Sequence, residues 1–534
     1  MTNSSTLSGI QALVLSAIEN EVHAVFGVPG SPITAVMNAF MDSAELKSSS
    51  LWFANEKTAF EWGLGSSFAK KRSLVLVKHV GMNVLADPLM TSMVHTIGAG
   101  LVILAGDDPE VSGSQNSQDT RYFGLLSGTA VFDPATPQDL YNDIGKAFAL
   151  SEKIKAPVII RVTAFVLNDK QIVSRFPQKN PADDSYTRTS WDFKMKGRYQ
   201  RFHMLNDSLI QKKAEECCKI ISKNEGSDSD SNLDSNSVGI ITSGGCSSRT
   251  KTALDSFSKL DYSLLKLGMP APLPISSIRS FLKSHSKVLV VEESEPFIED
   301  QIRVFGNVFG KRSGHLPFGY VAEADIVYAL ENLSSPSVSK SAELLKRSPE
   351  TPLYFCQDCI YVPFYDMMAA FKKEQNVPIT GDIGCSMYGA VMPYDVLDTA
   401  LSLGAGIGIG SGVSRARRQK SVVVIGDFGF FHSGLLSLIE AVSKNVPLLI
   451  FVMKNTMAAM TGGQPISAPE NIIQAVLSEK DGVKNSYHFI SLDLPDIENV
   501  QAEMEKIKML AADELKKEGV SVIVLSWDCK KYKK

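Results

Sequence analysis

Four cysteines in the last third of the chain could together bind a metal. Two of them form a Cys-x-x-Cys pair and two lie further along, the set being Cys356, Cys359, Cys385 and Cys529. Thiolates are soft ligands that suit iron–sulfur clusters and structural zinc ions. The residues themselves leave three alternatives open: a [4Fe–4S] cluster, a zinc site, or free thiols.

A short Gly-Asp-Phe-Gly motif stands among these cysteines, between a strand pattern and a helix pattern. It comprises Gly426, Asp427, Phe428 and Gly429, and Asn455 follows 28 positions after the aspartate. Backbone N–H groups and a carboxylate at such a turn can bind a magnesium diphosphate. Asp427, Asn455 and the carbonyl of Met457 would complete an oxygen shell around Mg²⁺. The spacing therefore predicts a thiamine diphosphate site.

The thiamine motif also bears on the cysteines. An electron-accepting cluster beside this cofactor would have a chemical purpose, whereas a zinc ion would only brace the fold, so the combination favours the cluster. A glycine-rich segment at residues 404–410 precedes the motif. Its small residues suit close packing against the cofactor or, equally, against another helix or a sheet.

Parallel α/β layers must position these residues. Short apolar runs rich in β-branched residues alternate with helix-length amphipathic segments, which is typical of α/β domains with parallel sheets. Three blocks are predicted at residues 1–185, 238–333 and 353–534, joined by connections at 186–237 and 334–352. The strands are expected near 74–78, 101–105, 158–162, 238–242, 288–292, 422–425, 448–453 and 520–525, with a helix beginning near His432.

Composition excludes several classes of function. A chain of 534 residues is too long for one core, and its formal charge of −4 indicates neither a nucleic-acid nor a membrane partner. The polar start lacks the pattern of a signal peptide, and no apolar run reaches the ~20 residues that span a bilayer. Seven cysteines, an odd number, favour a reducing cytoplasm over a disulfide framework.

Collinear motifs along nearly the whole chain resemble the thiamine-dependent 2-oxoacid:ferredoxin oxidoreductases. Within that group, the chain is most similar to the large subunit of the indolepyruvate type. The motifs include Asn-Glu-Lys at 55–57, Lys-His-Val-Gly-Met-Asn at 78–83, Ser-Gln-Asn-Ser-Gln-Asp at 114–119, Lys-Leu-Gly-Met-Pro at 266–270, Glu-Glu at 292–293, Gly-Asp-Ile-Gly-Cys at 381–385 and Thr-Gly-Gly-Gln at 461–464.

The resemblance implies a pyrimidine-binding domain first, a middle α/β domain, and a diphosphate-binding domain last. It places Glu56 at the aminopyrimidine N1′ of the cofactor, where a carboxylate favours the imino tautomer. Without the resemblance, Glu56 would be interpreted as a solvated acid on a helix face. Asp382 and Ile383 are implied to bind the cofactor, and the four cysteines to hold the proximal [4Fe–4S] cluster.

Further roles follow from the same resemblance. Ser31 matches a hydroxyl that meets the carboxylate of the 2-oxoacid. Lys78 and His79, at a strand end, are expected to contact the substrate carboxylate or carbonyl. For His79, a satisfied histidine at the edge of the core is the alternative.

The implied reaction is the oxidative decarboxylation of an aryl- or indolepyruvate-like 2-oxoacid to an acyl-CoA. Coenzyme A is then a co-substrate, and the cluster passes electrons to ferredoxin. The resemblance also implies a smaller subunit of beta or gamma type and a homodimer within a hetero-oligomer. Since indolepyruvate-type large subunits continue into a ferredoxin-like domain and this sequence ends at Lys534, an external electron carrier is expected.

One motif departs from the resembled family. The usual pattern is Cys-Pro-Gly-Cys, then Pro or Gly, then His, whereas residues 356–361 read Cys-Gln-Asp-Cys-Ile-Tyr. Two alternatives therefore stay open. One is a non-oxidative thiamine-dependent decarboxylase that releases an aldehyde, and the other is a non-catalytic subunit of such a complex.

Overall fold

The computed structural model describes residues 3–95, 97–114, 116–175, 195–222, 237–258, 260–335, 355–466, 471–477, 482–492 and 497–532. Its contacts divide the chain into two units, Met1–Pro349 and Glu350–Lys534. Each unit is built from helices and predominantly parallel sheets, which confirms the predicted α/β class. Among the described helices, none combines the length and the apolar character needed to cross a membrane.

The apolar runs predicted near 74–78, 101–105, 158–162, 238–242 and 288–292 form strands of the first unit, and further strands lie outside those runs. In chain order they are β1 Asn3–Ser8, β2 Ala24–Gly27, β3 Ser50–Trp52, β4 Ser73–Lys78, β5 Leu101–Asp107, β6 Val131–Phe132, β7 Val158–Thr163, β8 Lys170–Arg175, β9 Cys218–Ser222, β10 Val238–Ser243, β11 Tyr262–Leu267, β12 Val288–Val291 and β13 Val308–Phe309.

A parallel sheet of order β3-β2-β4-β5-β7-β6 forms the first half of this unit within the described residues. Strands β5 and β7 are buried along their whole length, and β4 is buried except at its last residue. Burial on both faces explains their near-continuous apolar sequences. The register pairs Lys78 with Gly106, so the strand ends that carry Lys78 and Asp107 lie together at one edge.

The middle sheet has the order β13-β12-β10-β11-β9 among the described residues, and β9 alone is antiparallel to its neighbour. Strand β9 and the helix Met195–Glu216 lie inside the connection predicted at 186–237. The sequence prediction missed β9 because its apolar pair, Ile220 and Ile221, is short and flanked by polar residues. The polar segment 223–236 and most of the predicted connection 334–352 lie outside the described residues.

Buried ion pairs join the two sheets of the first unit. Arg121 Nη1 lies 2.8 Å from Glu292 Oε2, and Arg161 Nη2, from β7, lies 3.7 Å from Glu293 Oε2. Arg249 pairs with Glu293 in the same region. Breaking one partner of such a pair leaves an uncompensated buried charge, so these residues hold the two sheets in a defined register. The Glu-Glu motif at 292–293 thus has a structural task.

Helices cover the sheets of the first unit, and local signals fix their ends. Pro137–Ile154, for example, begins at Thr136, whose side chain accepts from the Asp139 N–H, and has proline in its first turn. The remaining helices are Gly9–Glu19, Ile33–Asp42, Glu56–Phe68, His79–Val84, Ala86–His95, Arg121–Ser127, Ala164–Asn168, Met195–Glu216, Gly245–Asp255, Ile275–Ser284, Phe297–Ile302 and Glu323–Glu331.

The second unit contains a parallel sheet of order β14-β15-β16-β20-β19 in its described part. Its strands are β14 Ile379–Gly381, β15 Ser421–Gly426, β16 Leu448–Lys454, β17 Met457–Ala458, β18 Gln464–Pro465, β19 Ser486–Ser491 and β20 Val520–Ser526. Its α-helices are Tyr361–Gln375, Gly406–Arg417, Asp427–Gly429, Leu435–Ser443, Ile472–Val476 and Ile497–Leu515.

The helix after β15 begins earlier than predicted. It starts at Asp427, continues through a π-helical turn at Phe430–Gly434, and runs on as Leu435–Ser443. The sequence prediction placed the start near His432 because the glycines at 426 and 429 are typical of a loop. The wider turn at Phe430–Gly434 is the type of irregularity that often accompanies functional sites.

Candidate active site

Several predicted site residues of the first unit lie at the carboxyl edge of its parallel sheet. Ser31 follows β2, Glu56 begins the helix after β3, and Lys78 is the last residue of β4. Parallel strands end at the same edge of a sheet, where α/β folds commonly bind ligands. The fold therefore brings together side chains that are far apart in the sequence.

A loop after β5 organises Ser31 and Lys78. The Asp108 carboxylate accepts hydrogen bonds from the Gly113 N–H at 2.8 Å and the Ser114 hydroxyl at 2.7 Å, which folds the loop back on itself. Lys78 Nζ donates to the Gly113 carbonyl at 2.8 Å. A Cβ atom built on Gly113 would lie 2.9 Å from Ser31 Oγ, so only glycine permits this approach.

Burial changes the ionisation of Lys78. Loss of solvation lowers the pKa of its amine to about 8, and the negative charge of Asp108 opposes that shift. The hydrogen bonds from the loop hold the pKa of Asp108 below its usual range, although burial acts in the other direction. Lys78 is thus a cation below pH 8 at a partly enclosed strand end.

Glu56 is a buried carboxylate at the first position of its helix. It is 6% exposed, and the preceding Asn55 caps the helix by accepting from the N–H groups of Lys57 and Thr58. A Cβ atom on Gly81 would lie 2.6 Å from Glu56 Oε1. The carboxylate therefore packs directly against the backbone of the short helix His79–Val84, which excludes the alternative of a solvated acid.

His79 is buried and contacts two backbone carbonyls. Nδ1 lies 3.3 Å from the Gly106 oxygen, and Nε2 lies 3.1 Å from the Asn116 oxygen. Burial lowers the pKa of the ring, which favours the neutral form, and a neutral ring donates to one of these carbonyls. This arrangement suits a residue that fixes the strand end, and direct contact of His79 with a substrate stays a prediction.

In the second unit, Asp427 and the segment Asn455–Met457 come together as the sequence spacing predicts. Asp427 Oδ2 accepts from the N–H groups of Asn455 at 3.0 Å and Thr456 at 2.6 Å. Asn455 Oδ1 accepts from the Met457 N–H at 3.1 Å. Two oxygen-bearing side chains and the start of β17 thus share the carboxyl edge of β15 and β16.

Burial is the largest influence on the ionisation of Asp427. Burial raises the pKa of this carboxyl to about 7, and the N–H groups of Thr456, Phe428 and Asn455 act in the opposite direction. A buried carboxylate is costly without a compensating cation. The donor set and its burial therefore fit a hard divalent cation with oxygen ligands.

Asp382 shapes the same region through backbone contacts. Its carboxylate accepts from the N–H groups of Ile383 at 2.7 Å, Gly404 at 2.9 Å and Gly406 at 3.1 Å. A Cβ atom on Gly429 would lie 2.8 Å from Asp382 Oδ1. Asp382 thereby joins the glycine-rich segment to the Gly-Asp-Phe-Gly turn, and the glycines permit that close packing. Direct contact of Asp382 or Ile383 with a cofactor remains a prediction.

The four predicted cysteine ligands interact electrostatically with one another. Burial, with smaller contributions from Cys359, Cys529 and Cys356, raises the pKa of Cys385 to about 12. The pKa of Cys359 is raised to about 11 by burial and by Cys356 and Cys529. None of the four forms a disulfide bond. Among the residues that the structure describes, no group of three or more His, Cys, Asp or Glu is arranged to hold a single metal ion.

Two residues that position the site were missed by the sequence prediction. Asp108 accepts the hydrogen bonds that fold the loop beside Ser31 and Lys78. Gly81, which has no side chain, leaves the space in which the Glu56 carboxylate packs. The sequence does contain a signal for each: Asp108 follows another aspartate at a strand end, and Gly81 stands two residues after the predicted site residue His79. Their partners are distant in the sequence, so only the folded chain identifies their tasks.

Comparison with known proteins identifies relatives of this chain. Residues 382–523 match the family model of the thiamine pyrophosphate enzymes, C-terminal TPP binding domain. The chain is 31% identical over 563 residues to the indolepyruvate oxidoreductase subunit IorA of Methanothermobacter thermautotrophicus, a match that covers 98% of this chain and 86% of that protein. For IorA of Archaeoglobus fulgidus, the identity is 30% over 483 residues, covering 86% of this chain and 76% of that protein.

A solved structure shares the fold. The 2-oxoglutarate:ferredoxin oxidoreductase from Magnetococcus marinus, with 2-oxoglutarate, coenzyme A and succinyl-CoA bound, superposes with a TM-score of 0.51 at 14% identity. The likeness covers 62% of this chain and 65% of that chain. At this identity the likeness concerns the fold alone.

Proposed function

Because the chain belongs to the family of indolepyruvate oxidoreductase IorA subunits, we propose that it is the thiamine diphosphate-binding subunit of a 2-oxoacid:ferredoxin oxidoreductase. The substrate is an aryl- or indolepyruvate-like 2-oxoacid, which is converted with coenzyme A to an acyl-CoA and CO₂. The two electrons released reduce ferredoxin through a [4Fe–4S] cluster. The observation that carries this proposal is the turn at Asp427, whose buried carboxylate accepts hydrogen bonds from the N–H groups of Asn455 and Thr456.

In this proposal Asp427 and Asn455 hold Mg²⁺, with the carbonyl of Met457 as a further ligand. The cation compensates the buried charge of Asp427 and binds the cofactor diphosphate, while the N–H groups of the Gly426–Gly429 turn contact phosphate oxygens. When bound, thiamine diphosphate supplies the nucleophilic carbon that cleaves the bond between the carboxyl and carbonyl carbons of the substrate.

The first unit supplies the acid–base and substrate-binding groups. Glu56 hydrogen-bonds N1′ of the aminopyrimidine and exchanges a proton with the ring, a task that its burial against Gly81 favours. The Ser31 hydroxyl and the Lys78 ammonium bind the substrate carboxylate, because both lie at the sheet edge beside the Asp108 loop. His79 supports this edge and is proposed to lie near the substrate carbonyl.

Cys356, Cys359, Cys385 and Cys529 are proposed to ligate the cluster. Their soft sulfur chemistry fits an iron–sulfur group, whose irons bind thiolates. A smaller subunit of beta or gamma type and ferredoxin complete the proposed system, with a homodimer of this chain inside the hetero-oligomer. No nucleic acid or membrane takes part.

The test of this function is an anaerobic assay of the complex with its partner subunit. An aryl or branched 2-oxoacid is expected to reduce a low-potential dye only when coenzyme A is present. Cys359→Ala is expected to suppress dye reduction while thiamine diphosphate stays bound, because the electron path is cut and the cofactor site is intact. Cys218→Ala, which removes a thiol from the middle sheet, serves as the control and should behave like the unmutated chain.

The rival function gives a different product. If the unmutated complex released aldehyde and CO₂ in equal amounts, with no acceptor reduced, the chain would be a non-oxidative decarboxylase. If neither product formed although cofactor, cluster and partner were present, the non-catalytic alternative would replace both.

A further inference from the structure

Tyr361 links the cysteine pair to the turn that carries Asp427. It begins the helix Tyr361–Gln375, two residues after Cys359, and its backbone hydrogen-bonds to the Cys359 thiol. At the other end of the side chain, the hydroxyl oxygen lies 3.9 Å from the position of a Cβ atom built on Gly426. Gly426 is the last residue of β15 and directly precedes Asp427. Tyr361 thus contacts Cys359 through its backbone and approaches the Gly426–Asp427 turn with its hydroxyl group.

Aromatic neighbours fix the ring of Tyr361 in this position. It stacks on Phe355 with ring centroids 5.4 Å apart and an angle of 5°, and on Tyr365 at 5.8 Å and 17°. Trp527 contacts it edge-on at 5.6 Å and 89°. The side chain is only 4% exposed. Phe355 and Tyr365 also lie 5.8 Å from each other, so the three rings form one compact cluster, with Trp527 against the edge of Tyr361. This packing restricts the ring, and the hydroxyl is held at the turn before any ligand arrives.

The hydroxyls of the two stacked tyrosines differ in what they contact. Tyr365 donates to the Ser386 carbonyl at 2.6 Å. Among the described residues, none hydrogen-bonds to the hydroxyl of Tyr361. A buried tyrosine usually finds a partner for its hydroxyl, and a phenol with an ordinary pKa near ~10 is a donor at neutral pH. The Tyr361 hydroxyl oxygen is not sealed from solvent, so it is available to an acceptor that binds at the Gly426–Asp427 turn.

We propose that Tyr361 donates a hydrogen bond to the diphosphate of the thiamine cofactor and so ties the cofactor to the cluster-bearing helix. The inference rests on the proposed function, since the acceptor is the diphosphate bound at Asp427. It assigns a binding task to the residue at which this sequence departs from the Cys-Pro-Gly-Cys pattern with its following histidine. A phosphate oxygen carries negative charge, so the bond is stronger than one between neutral groups.

Tyr361→Phe isolates this bond, because it removes the hydroxyl and keeps the stacked ring. In titrations of the full-length chain with Mg²⁺, the Kd for thiamine diphosphate is expected to rise roughly ten- to hundred-fold, the usual effect of losing a hydrogen bond to a charged group. Magnesium pyrophosphate alone serves as a second probe. Its Kd should rise by a similar factor, because the proposed contact is to phosphate.

Tyr365→Phe is the matched control. It removes a hydroxyl from the neighbouring stacked ring, and cofactor affinity is expected to change by less than about two-fold, because that hydroxyl contacts Ser386. Equal affinities of Tyr361→Phe and the unmutated chain would overturn this inference and leave the proposed function standing. An effect on thiamine diphosphate without one on pyrophosphate would also overturn it. Failure of the unmutated chain to bind thiamine diphosphate would instead overturn the proposed function, and the inference with it.

Discussion

Asp427→Ala is expected to abolish Mg²⁺-dependent binding of thiamine diphosphate, with an affinity loss of at least about 100-fold. Removal of the anionic ligand leaves a hard cation undercoordinated beside a diphosphate, and even outer contacts of metal sites are commonly worth ten- to about 100-fold. Calorimetric titration of the full-length chain with the cofactor, in the presence and absence of Mg²⁺, measures the effect.

Two further variants separate charge from shape. Asp427 also accepts hydrogen bonds from the N–H groups of Asn455 and Thr456, so the alanine variant loses these bonds as well as the charge. Asp427→Asn keeps a side-chain oxygen at the same place but not the charge, and it should also bind weakly. Asp513→Ala removes an exposed carboxylate of the same unit and should leave affinity unchanged. Normal Mg²⁺-dependent affinity in Asp427→Asn would show that the charge of Asp427 does not bind the cation.

Glu56→Gln is expected to retain cofactor binding and to lose turnover by about 10²–10⁴-fold. The amide keeps the size of the carboxylate and can still contact a ring nitrogen, but it cannot exchange the proton that general acid–base catalysis requires. Steady-state rates of CoA-dependent dye reduction, combined with cofactor titration, separate the two effects. Turnover at the unmutated rate would refute the assigned role of Glu56.

Gly81→Ala is expected to displace the Glu56 carboxylate while the glutamate itself is retained. The added methyl group would lie 2.6 Å from Glu56 Oε1, so the carboxylate must move and turnover should fall. Gly65→Ala is the control, since a Cβ atom at that exposed helical position meets open space. Both substitutions favour helix formation, so a difference between them reports on the contact with Glu56.

Much of the diphosphate turn could be predicted from the sequence, because its determinants are local. The strand before Asp427 and the strand before Asn455 are continuous apolar runs, and adjacent parallel strands must place their carboxyl ends together. The predicted start of the following helix was wrong, because glycine commonly ends regular secondary structure. Here Gly429 lies within a helical turn that packs against Asp382. Such packing depends on a partner about 45 positions away and leaves no local signal.

The first unit illustrates the limit of sequence reasoning more clearly. Burial of Glu56 depends on Gly81, and the position of Lys78 depends on a loop held by Asp108. Neither dependence follows from residue type or spacing. The domain boundaries are a similar case, because strand β9 joins the middle sheet from within a stretch whose composition indicated a connection. The resemblance to a family supplied roles for Ser31 and Glu56 that composition and periodicity could not.

We expect this chain to couple a thiamine diphosphate site to an iron–sulfur cluster on Cys356, Cys359, Cys385 and Cys529. Measurement of iron and zinc, together with the absorption spectrum, on anaerobically purified full-length protein tests it most directly. If the four cysteines ligate a [4Fe–4S] cluster, the protein will be brown, with about four irons per chain and the broad visible absorption of such a cluster. Stoichiometric zinc with no iron would contradict it.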